Sequence, residues 1–398
     1  MSDFAVDKFI NREKEVSLVV NRVSELARGK PFAPKERVFH FVGPSGIGKS
    51  CLLEKCKNKL TVERPEYKSL LIPLDSLKKR EKGFINELLV AVHNEFCNCK
   101  ELVLKKDDSQ NRQKYVSHIQ QKIIGNNQIT ILFLDEINVP SQKDLRDLED
   151  YLLVKFLHDN DRAILVTAGR SKPPEFNDFA LRPKPSNTFL LPLFDQEKTS
   201  MQMEILKPGS GALAEKIVKM GNGVPGNTVK LVEHVRGNPL EIPNEVQAIQ
   251  SLLDDIKKIN SIEERHRPML EAISILQGFF PDDVAPLFQN HPHLDNEWDE
   301  RMVKEVFLEL NQIQIGPGGL VDWDRDKKHW AMDESTHALF EKELQMRDPE
   351  LWKKLHCTAL GMYQEWGEKY NSDLYRRKSN YHKQRLQSAG LNCNDLEG

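Results

Sequence analysis

Three short stretches carry the residue types that handle a triphosphate. Gly43-Pro44-Ser45-Gly46-Ile47-Gly48-Lys49-Ser50 matches the pattern G-x-x-x-x-G-K-[ST] in full. Glycines at 43, 46 and 48 let the backbone N–H groups converge on phosphate oxygens, and a helix opening near Lys49 adds the positive end of its dipole. Lys49 can then bridge the β- and γ-phosphates, and the Ser50 hydroxyl can hold Mg²⁺, with Cys51 next in the first turn. Further on, Asp135-Glu136 closes the apolar run Ile129-Thr-Ile-Leu-Phe-Leu134. Asp135 is expected to bind Mg²⁺ through water and Glu136 to polarise the attacking water. The run Arg162-Ala-Ile-Leu-Val-Thr167 leads into Ala168-Gly169-Arg170, where a polar side chain and Arg170 would face the γ-phosphate and stabilise charge as it leaves. Taken singly, these could be a glycine-rich turn, a solvated acidic pair and a surface cation. Together they point to nucleotide hydrolysis.

That chemistry needs strands to aim the loops. Arg37-Val-Phe-His-Phe-Val42 is a short β-rich run before the glycine loop, and Cys51 to Leu60 has helical composition without a breaker. The wholly apolar stretch before Asp135 is what a central parallel strand, buried on both faces, requires. Further strands are expected at Lys68 to Leu74 and Thr188 to Leu191, so five strands alternate with helices in a parallel α/β sheet. An acidic pair at one strand's carboxyl end then lies beside the glycine loop of another.

Composition sets outer bounds. A chain of 398 residues suggests two or three domains. With 29% charged and 39% hydrophobic residues it reads as globular, and no run reaches the roughly 18 apolar residues of a membrane span. The start Met-Ser-Asp-Phe-Ala-Val-Asp does not resemble a signal peptide, and cysteines at 51, 56, 97, 99, 357 and 393 are scattered, so free thiols in a reducing cytoplasm are expected. A net charge of −3 gives no global field for nucleic acid.

The three phosphate-handling stretches resemble the additional-strand P-loop ATPases, and within them the STAND signalling ATPases and their AAA+ relatives of the origin-recognition type. Phe9-Ile10-Asn11-Arg12-Glu-Lys-Glu15 is similar to the family's N-terminal box, which implies that Phe9, Ile10 and Arg12 line the adenine pocket. Asn11 stands where the family has glycine, a swap that a left-handed backbone tolerates. Gly221-Asn-Gly-Val-Pro225-Gly-Asn227 is similar to the family's Gly-x-Pro motif, which implies that Pro225 opens a lid helix near the adenine and ribose; Gly237-Asn-Pro-Leu240 is a second candidate. Apolar stripes over Glu264 to Leu276 and Glu300 to Leu310 come next. A turn at Gly316 to Gly319 and a strand near Trp330 follow, in winged-helix order. Met332-Asp333-Glu334 stands where STAND proteins have Met-His-Asp, so Asp333 replaces that histidine. The resemblance implies a five-stranded P-loop ATPase sheet over 1–195, a helical lid over 196–260 and a winged helix over 261–345, with C-terminal helices over 346–398. It also implies ATP/ADP and Mg²⁺ as ligands.

After Leu351 the spacing of Leu351, Leu355, Ala359, Met362, Trp366 and Tyr370 predicts an amphipathic helix that packs on the winged helix or meets a partner. The bases and aromatics from Tyr375 to Arg385 read as a solvated helix, similar to the first helix of a tetratricopeptide-type array. STAND proteins usually carry a sensor array and an effector domain. Here these would come from other chains or from a longer polypeptide. The resemblance therefore implies a slow ATPase switch that forms a homo-oligomer in the ATP state and signals in immunity or regulation. The alternative is an AAA+ ATPase acting on DNA through its winged helix. The mixed charges of its second helix, Arg301 and Lys304 among Glu300, Glu305 and Glu309, make nucleic acid the less expected partner. A scaffold without hydrolysis is disfavoured by the presence of Lys49, Ser50, Asp135 and Glu136.

Overall fold

The computed structural model describes residues 11–78, 83–97, 109–124, 128–170, 173–260, 262–294, 297–315, 318–324 and 328–393. The chain divides into two compact units, Met1–Pro208 and Gly209–Gly398.

The first unit runs α1 (Glu13–Ala27), β1 (Val38–Val42), α2 (Lys49–Glu63), β2 (Lys68–Pro73), α3 (Leu74–Lys78), α4 (Phe84–Cys97) and α5 (Ser109–Ile124). It continues with β3 (Thr130–Asp135), α6 (Gln142–Leu148), α7 (Val154–His158), β4 (Ala163–Gly169), β5 (Thr188–Leu190) and α8 (Gln196–Leu206). The strands form one sheet in the order β2-β3-β4-β1-β5, and every pairing is parallel. Every residue of β3 and β4 is buried, as their mostly apolar sequence demands of central strands. Successive side chains alternate between faces. Ile131 and Phe133 join Phe39, Phe41 and Val166 against α1 and α2, whereas Leu132 and Leu134 join Leu70, Ile72 and Leu165 against α4, α5 and the segment around α7. The five expected strands are all present, displaced at their ends by one or two residues. Arg37, expected at the start of β1, instead closes its base: the guanidinium donates to the carbonyls of Asn160 (2.5 Å), Ala163 (3.0 Å) and Leu157 (2.7 Å).

The second unit is mostly helical: α9 (Ala214–Gly221), α10 (Pro225–Val232), α11 (Glu245–Asn260), α12 (Arg267–Ile273), α13 (Pro281–Gln289) and α14 (Glu300–Gln312). Four short strands follow, β6 (Gln314–Ile315), β7 (Gly318–Gly319), β8 (Val321–Asp324) and β9 (His329–Met332), and then α15 (Glu334–Arg347), α16 (Pro349–Lys369) and α17 (Asp373–Ser388). The expected turn at Gly316 to Gly319 is displaced. Gly318 and Gly319 are themselves strand, paired with Ile315 and Gln314, while positions 316 and 317 lie outside the described residues. The longer hairpin is β8–β9, in antiparallel register from Val321↔Met332 to Asp324↔His329.

The C-terminal helices correct two expectations. The buried stripe of α16 includes Leu351, Leu355 and Ala359 but turns toward Trp352, His356 and Tyr363, leaving Tyr370 exposed. The reason is α17: His382 sits with its Nδ1 2.9 Å from His356 Nδ1, and its ring stacks on Tyr363 at 5.7 Å. The cysteines are not all free thiols either. Cys357 and Cys393 form a disulfide, because the antiparallel α16–α17 pair carries the end of the described chain back along α16. Cys51 and Cys56 are free, whereas Cys99 and the Cys97 side chain lie outside the described residues. Among the described residues, no helix is long and apolar enough to cross a membrane.

Candidate nucleotide site

The site is assembled at the carboxyl edge of the sheet. The loop after β1 turns through left-handed glycines, Gly46 at φ 76° and Gly48 at φ 96°, before α2 opens at Lys49. A Cβ on Gly43 would come within 2.9 Å of Ile47 Cγ2, a closeness real side chains do not show. Ile47 is fully buried and pins the loop to the α1–α2 face of the core. Lys49 is also buried; its ammonium donates to the loop's own carbonyls, Gly43 O at 2.9 Å and Pro44 O at 3.0 Å. The Ser50 hydroxyl donates to the Asp135 carboxylate. Cys51, half-buried on the same turn, has its thiol pushed up by burial and by Glu54 and Asp135.

Two strands from β1, Asp135 ends β3 with only 2% of its surface exposed. Burial raises its carboxyl to about 6, and the repulsion of Glu136 adds to this, against the Ser50 hydroxyl, Lys49 and the Glu136 N–H. Glu136 follows in a left-handed conformation, φ 54°, that costs a non-glycine residue about 1–3 kcal/mol. Its N–H donates to Asp135 Oδ1 at 3.0 Å, while its Oε2 is buried without a hydrogen-bond partner among the described residues. Glu136 thus pairs a strained backbone with an unpartnered carboxylate oxygen at the end of β3.

Arg170 directly follows β4, the strand between β1 and β3, so its backbone stands between Gly43 and the acidic pair. Thr167 does not face the phosphate side as expected. Its hydroxyl is turned into the sheet, donating to Phe39 O at 3.1 Å and lying 2.7 Å from His40 Nδ1. The residue that sequence reasoning missed is Asn138. Its Oδ1 accepts the Arg170 N–H at 3.0 Å, and a Cβ on Gly169 would collide with that oxygen. Asn138 therefore fastens the turn after Glu136 to the end of β4, helped by the Ile137 N–H donating to Ala168 O at 2.9 Å. No spacing pattern marks such an asparagine. Only the glycine opposite it hints at the close approach.

Asn11 has the positive φ, 58°, that its place in the N-terminal box required. Arg12 is buried beneath the loop: its guanidinium donates to Ile47 O at 3.3 Å and Pro192 O at 2.8 Å, and it lies 3.6 Å from Glu15 and over the Phe194 ring. Burial lowers its pKa against the pull of Glu15. Phe9 and Ile10 lie outside the described residues. Pro225 belongs to the second unit. There α9 ends at Gly221, Asn222 and Gly223 turn left-handed at φ 53° and 64°, and Pro225 opens α10 at a position that tolerates proline. The other candidate, Gly237 to Leu240, spans the Arg236↔Glu241 bridge and opens no helix.

Lys49, Ser50, Asp135 and Glu136 are thus brought together, with Arg170 beside them in the strand order. A parallel sheet ordered β2-β3-β4-β1-β5, with a glycine loop after β1 and acids after β3, decides the architecture. The fold is that of the P-loop ATPases. It is similar to a Walker-type ATPase of Pyrococcus abyssi, with TM-score 0.52 at 14% identity over 83% of this chain and 95% of that one. Weaker likenesses are to the ORC1 protein of Aeropyrum pernix in complex with DNA (TM-score 0.44, 15% identity, 88% and 95% coverage) and a STAND protein of Pyrococcus horikoshii with a tetratricopeptide repeat sensor. The last matches at TM-score 0.36 and 12% identity over 95% of this chain but 48% of that one, and neither bears on function here. No family model matches the chain, and neither does any curated protein.

The residues fit a magnesium nucleotide. Ser50 and Asp135 already touch where a cation would be shared, and Lys49 has three donors to turn onto phosphate oxygens. Among the described residues no group of three or more His, Cys, Asp or Glu could hold a metal ion by itself. Mg²⁺ characteristically takes one or two protein oxygens and fills its shell with water and phosphate.

Proposed function

We propose that the chain is a nucleotide-gated switch that binds Mg-ATP at the loop after β1, hydrolyses it slowly and self-associates in the ATP state to signal to an effector. The observation that carries the reading is Glu136, strained, partly buried and with an unpartnered Oε2, beside the buried Asp135. Bound Mg²⁺ would neutralise charge on the β- and γ-oxygens, held by Ser50 Oγ and Asp135. Lys49 leaves the Gly43 and Pro44 carbonyls to bind those oxygens. Glu136 accepts a proton from water as the water oxygen bonds to the γ-phosphorus. The bond to the β–γ bridging oxygen breaks, leaving ADP and phosphate. Arg170, held by Asn138, meets the γ-phosphate that distinguishes ATP from ADP, so the two nucleotides are bound with different free energy and can shift a population.

In this reading α8 to α11 are the lid and α12 to α14 with the β8–β9 hairpin are a winged helix. On α14 the cations stand beside acids, with Arg301 3.3 Å from Glu305 and Lys304 paired with Glu300, so duplex DNA is kept as the alternative partner and a protein as the first. Sedimentation with ADP, with a non-hydrolysable ATP analogue and with duplex DNA tests the proposal. The expected result is larger species with the ATP analogue alone, weakened in Arg170→Ala. Assembly only on duplex, falling steeply with salt, would instead favour a DNA-acting ATPase. One size in every condition would remove the switch.

A further inference from the structure

The second unit contains a cavity of about 670 Å³ that the nucleotide chemistry does not use. Its lining includes Arg267, Glu271 and Arg347, which form a four-membered charge cluster with the fully buried Glu343. Glu271 and Glu343 are buried to 2% and 0% exposure. Arg267 donates through Nε to Glu271 and through Nη2 to Glu343, both at 2.7 Å. Arg347 answers from α15, through Nε to Glu343 at 2.9 Å and through Nη2 to Glu271 at 2.6 Å. Both guanidiniums are therefore locked by the same two edges. Each keeps its Nη1 end uncommitted among the described residues, and both side chains line the cavity, 22% and 33% exposed. Burial alone would raise the Glu271 carboxyl, but His291 and the two arginines hold it at about 2, so it stays ionised and balanced by its partners.

The other walls define the rest of a ligand. Arg265 lines the opening with Glu264, and Arg265 itself pairs with Glu263 and Glu309. Trp298 packs edge-on against Phe288 at 4.9 Å, and its Nε1 is buried without a hydrogen-bond partner. Met269 and Leu294 supply apolar surface. The volume suits one small molecule. Rigid guanidinium tips match the fork geometry of carboxylate and phosphate.

We propose that this cavity binds a small organic anion, a carboxylate or phosphate ester on an apolar body, with Arg267 and Arg347 clamping the anion and Met269, Leu294 and the Trp298 ring against the body. Phosphate esters and carboxylates share that chemistry, and phenyl phosphate and benzoate distinguish them. Calorimetry on the full-length Lys49→Ala protein, where nucleotide-loop binding is crippled, should show saturable heat with at least one probe and weaker heat with inorganic phosphate. Met269→Ala removes apolar wall from the cavity and should weaken binding of the aromatic probes roughly tenfold while leaving inorganic phosphate unchanged. Arg347→Lys keeps the charge but loses the fork and should weaken it at least as much, with the thermal midpoint checked in each variant. Leu294→Phe, which narrows the cavity without touching the charge cluster, should exclude both probes while leaving ATP affinity of otherwise wild-type protein unchanged. No heat with either probe at millimolar concentration, affinity unaltered in Met269→Ala and Leu294→Phe, or inorganic phosphate binding as well as phenyl phosphate would each overturn the proposal.

Discussion

Asp135 makes the protein less stable than it could be, and the amount follows from its burial. Its carboxyl titrates at about 6, against an ordinary value of 3.8. A raised carboxyl binds its proton more tightly in the folded chain, so the contribution to stability is complete at low pH and is lost as pH rises through that range. By pH 7.5 the loss is on the order of 3 kcal/mol, falling to about half of that at pH 5 and below about 1 kcal/mol at pH 4. Asp135→Asn removes the charge and keeps an oxygen that can accept from Ser50. Without nucleotide and with chelator present, this variant should unfold higher than wild type at pH 7.5, by about 5 to 10 °C for a unit of this size. The gap should close as pH approaches 4. At the same time Mg-ATP affinity should fall, because the charged carboxylate is needed only when the cation is bound. Thermal unfolding by circular dichroism across that pH range reads both the size and the slope. A variant less stable than wild type at pH 7.5, or a gap that widens on acidification, would refute the burial argument.

Lys49→Ala should abolish ATP binding in calorimetry, because it removes the buried ammonium that would turn onto the β/γ oxygens, and equal affinity would mean that the loop binds something else. Glu136→Gln should keep ATP binding and slow turnover by about 10²- to 10⁴-fold, since an amide cannot take the proton from water; unchanged phosphate release would misassign the acidic pair. Gly169→Ala should drive Asn138 off the Arg170 N–H, costing about 1–3 kcal/mol of stability and lowering turnover at unchanged ADP affinity, with stopped-time phosphate assays as the check.

The parts of this molecule legible in its sequence are those where one physical demand fixes several neighbours at once. β3 and β4 are buried on both faces, so nearly every position had to be apolar, and the glycine loop needs its backbone angles at fixed offsets. What escaped depends on partners distant in the chain. Asn138 matters because of Gly169. Arg12 reaches Pro192, although its motif speaks only of the nucleotide. α13 contains Pro281 and Pro286, which read as breakers, yet Pro281 opens the helix and Asp283 accepts from the Phe280 N–H at 2.9 Å. The face of α16 was set by His356 meeting His382, two residues that hydropathy counts as polar. Cys357 and Cys393 are 36 residues apart, and no spacing rule pairs them.

In the proposed function, Lys49 donating to Gly43 O and Pro44 O means that the loop contains a rival to its own ligand. An arriving nucleotide exchanges two carbonyl hydrogen bonds for phosphate contacts rather than gaining the full strength of a bare ammonium. Affinity is then a difference between two well-satisfied arrangements, and the same exchange runs in reverse when ADP departs. The leaving product does not strand a buried cation, because the loop's own carbonyls receive it. Exchange of spent nucleotide can therefore proceed without the loop unfolding. In that reading the lifetime of a bound nucleotide depends in part on how well each phosphate outcompetes these two backbone oxygens.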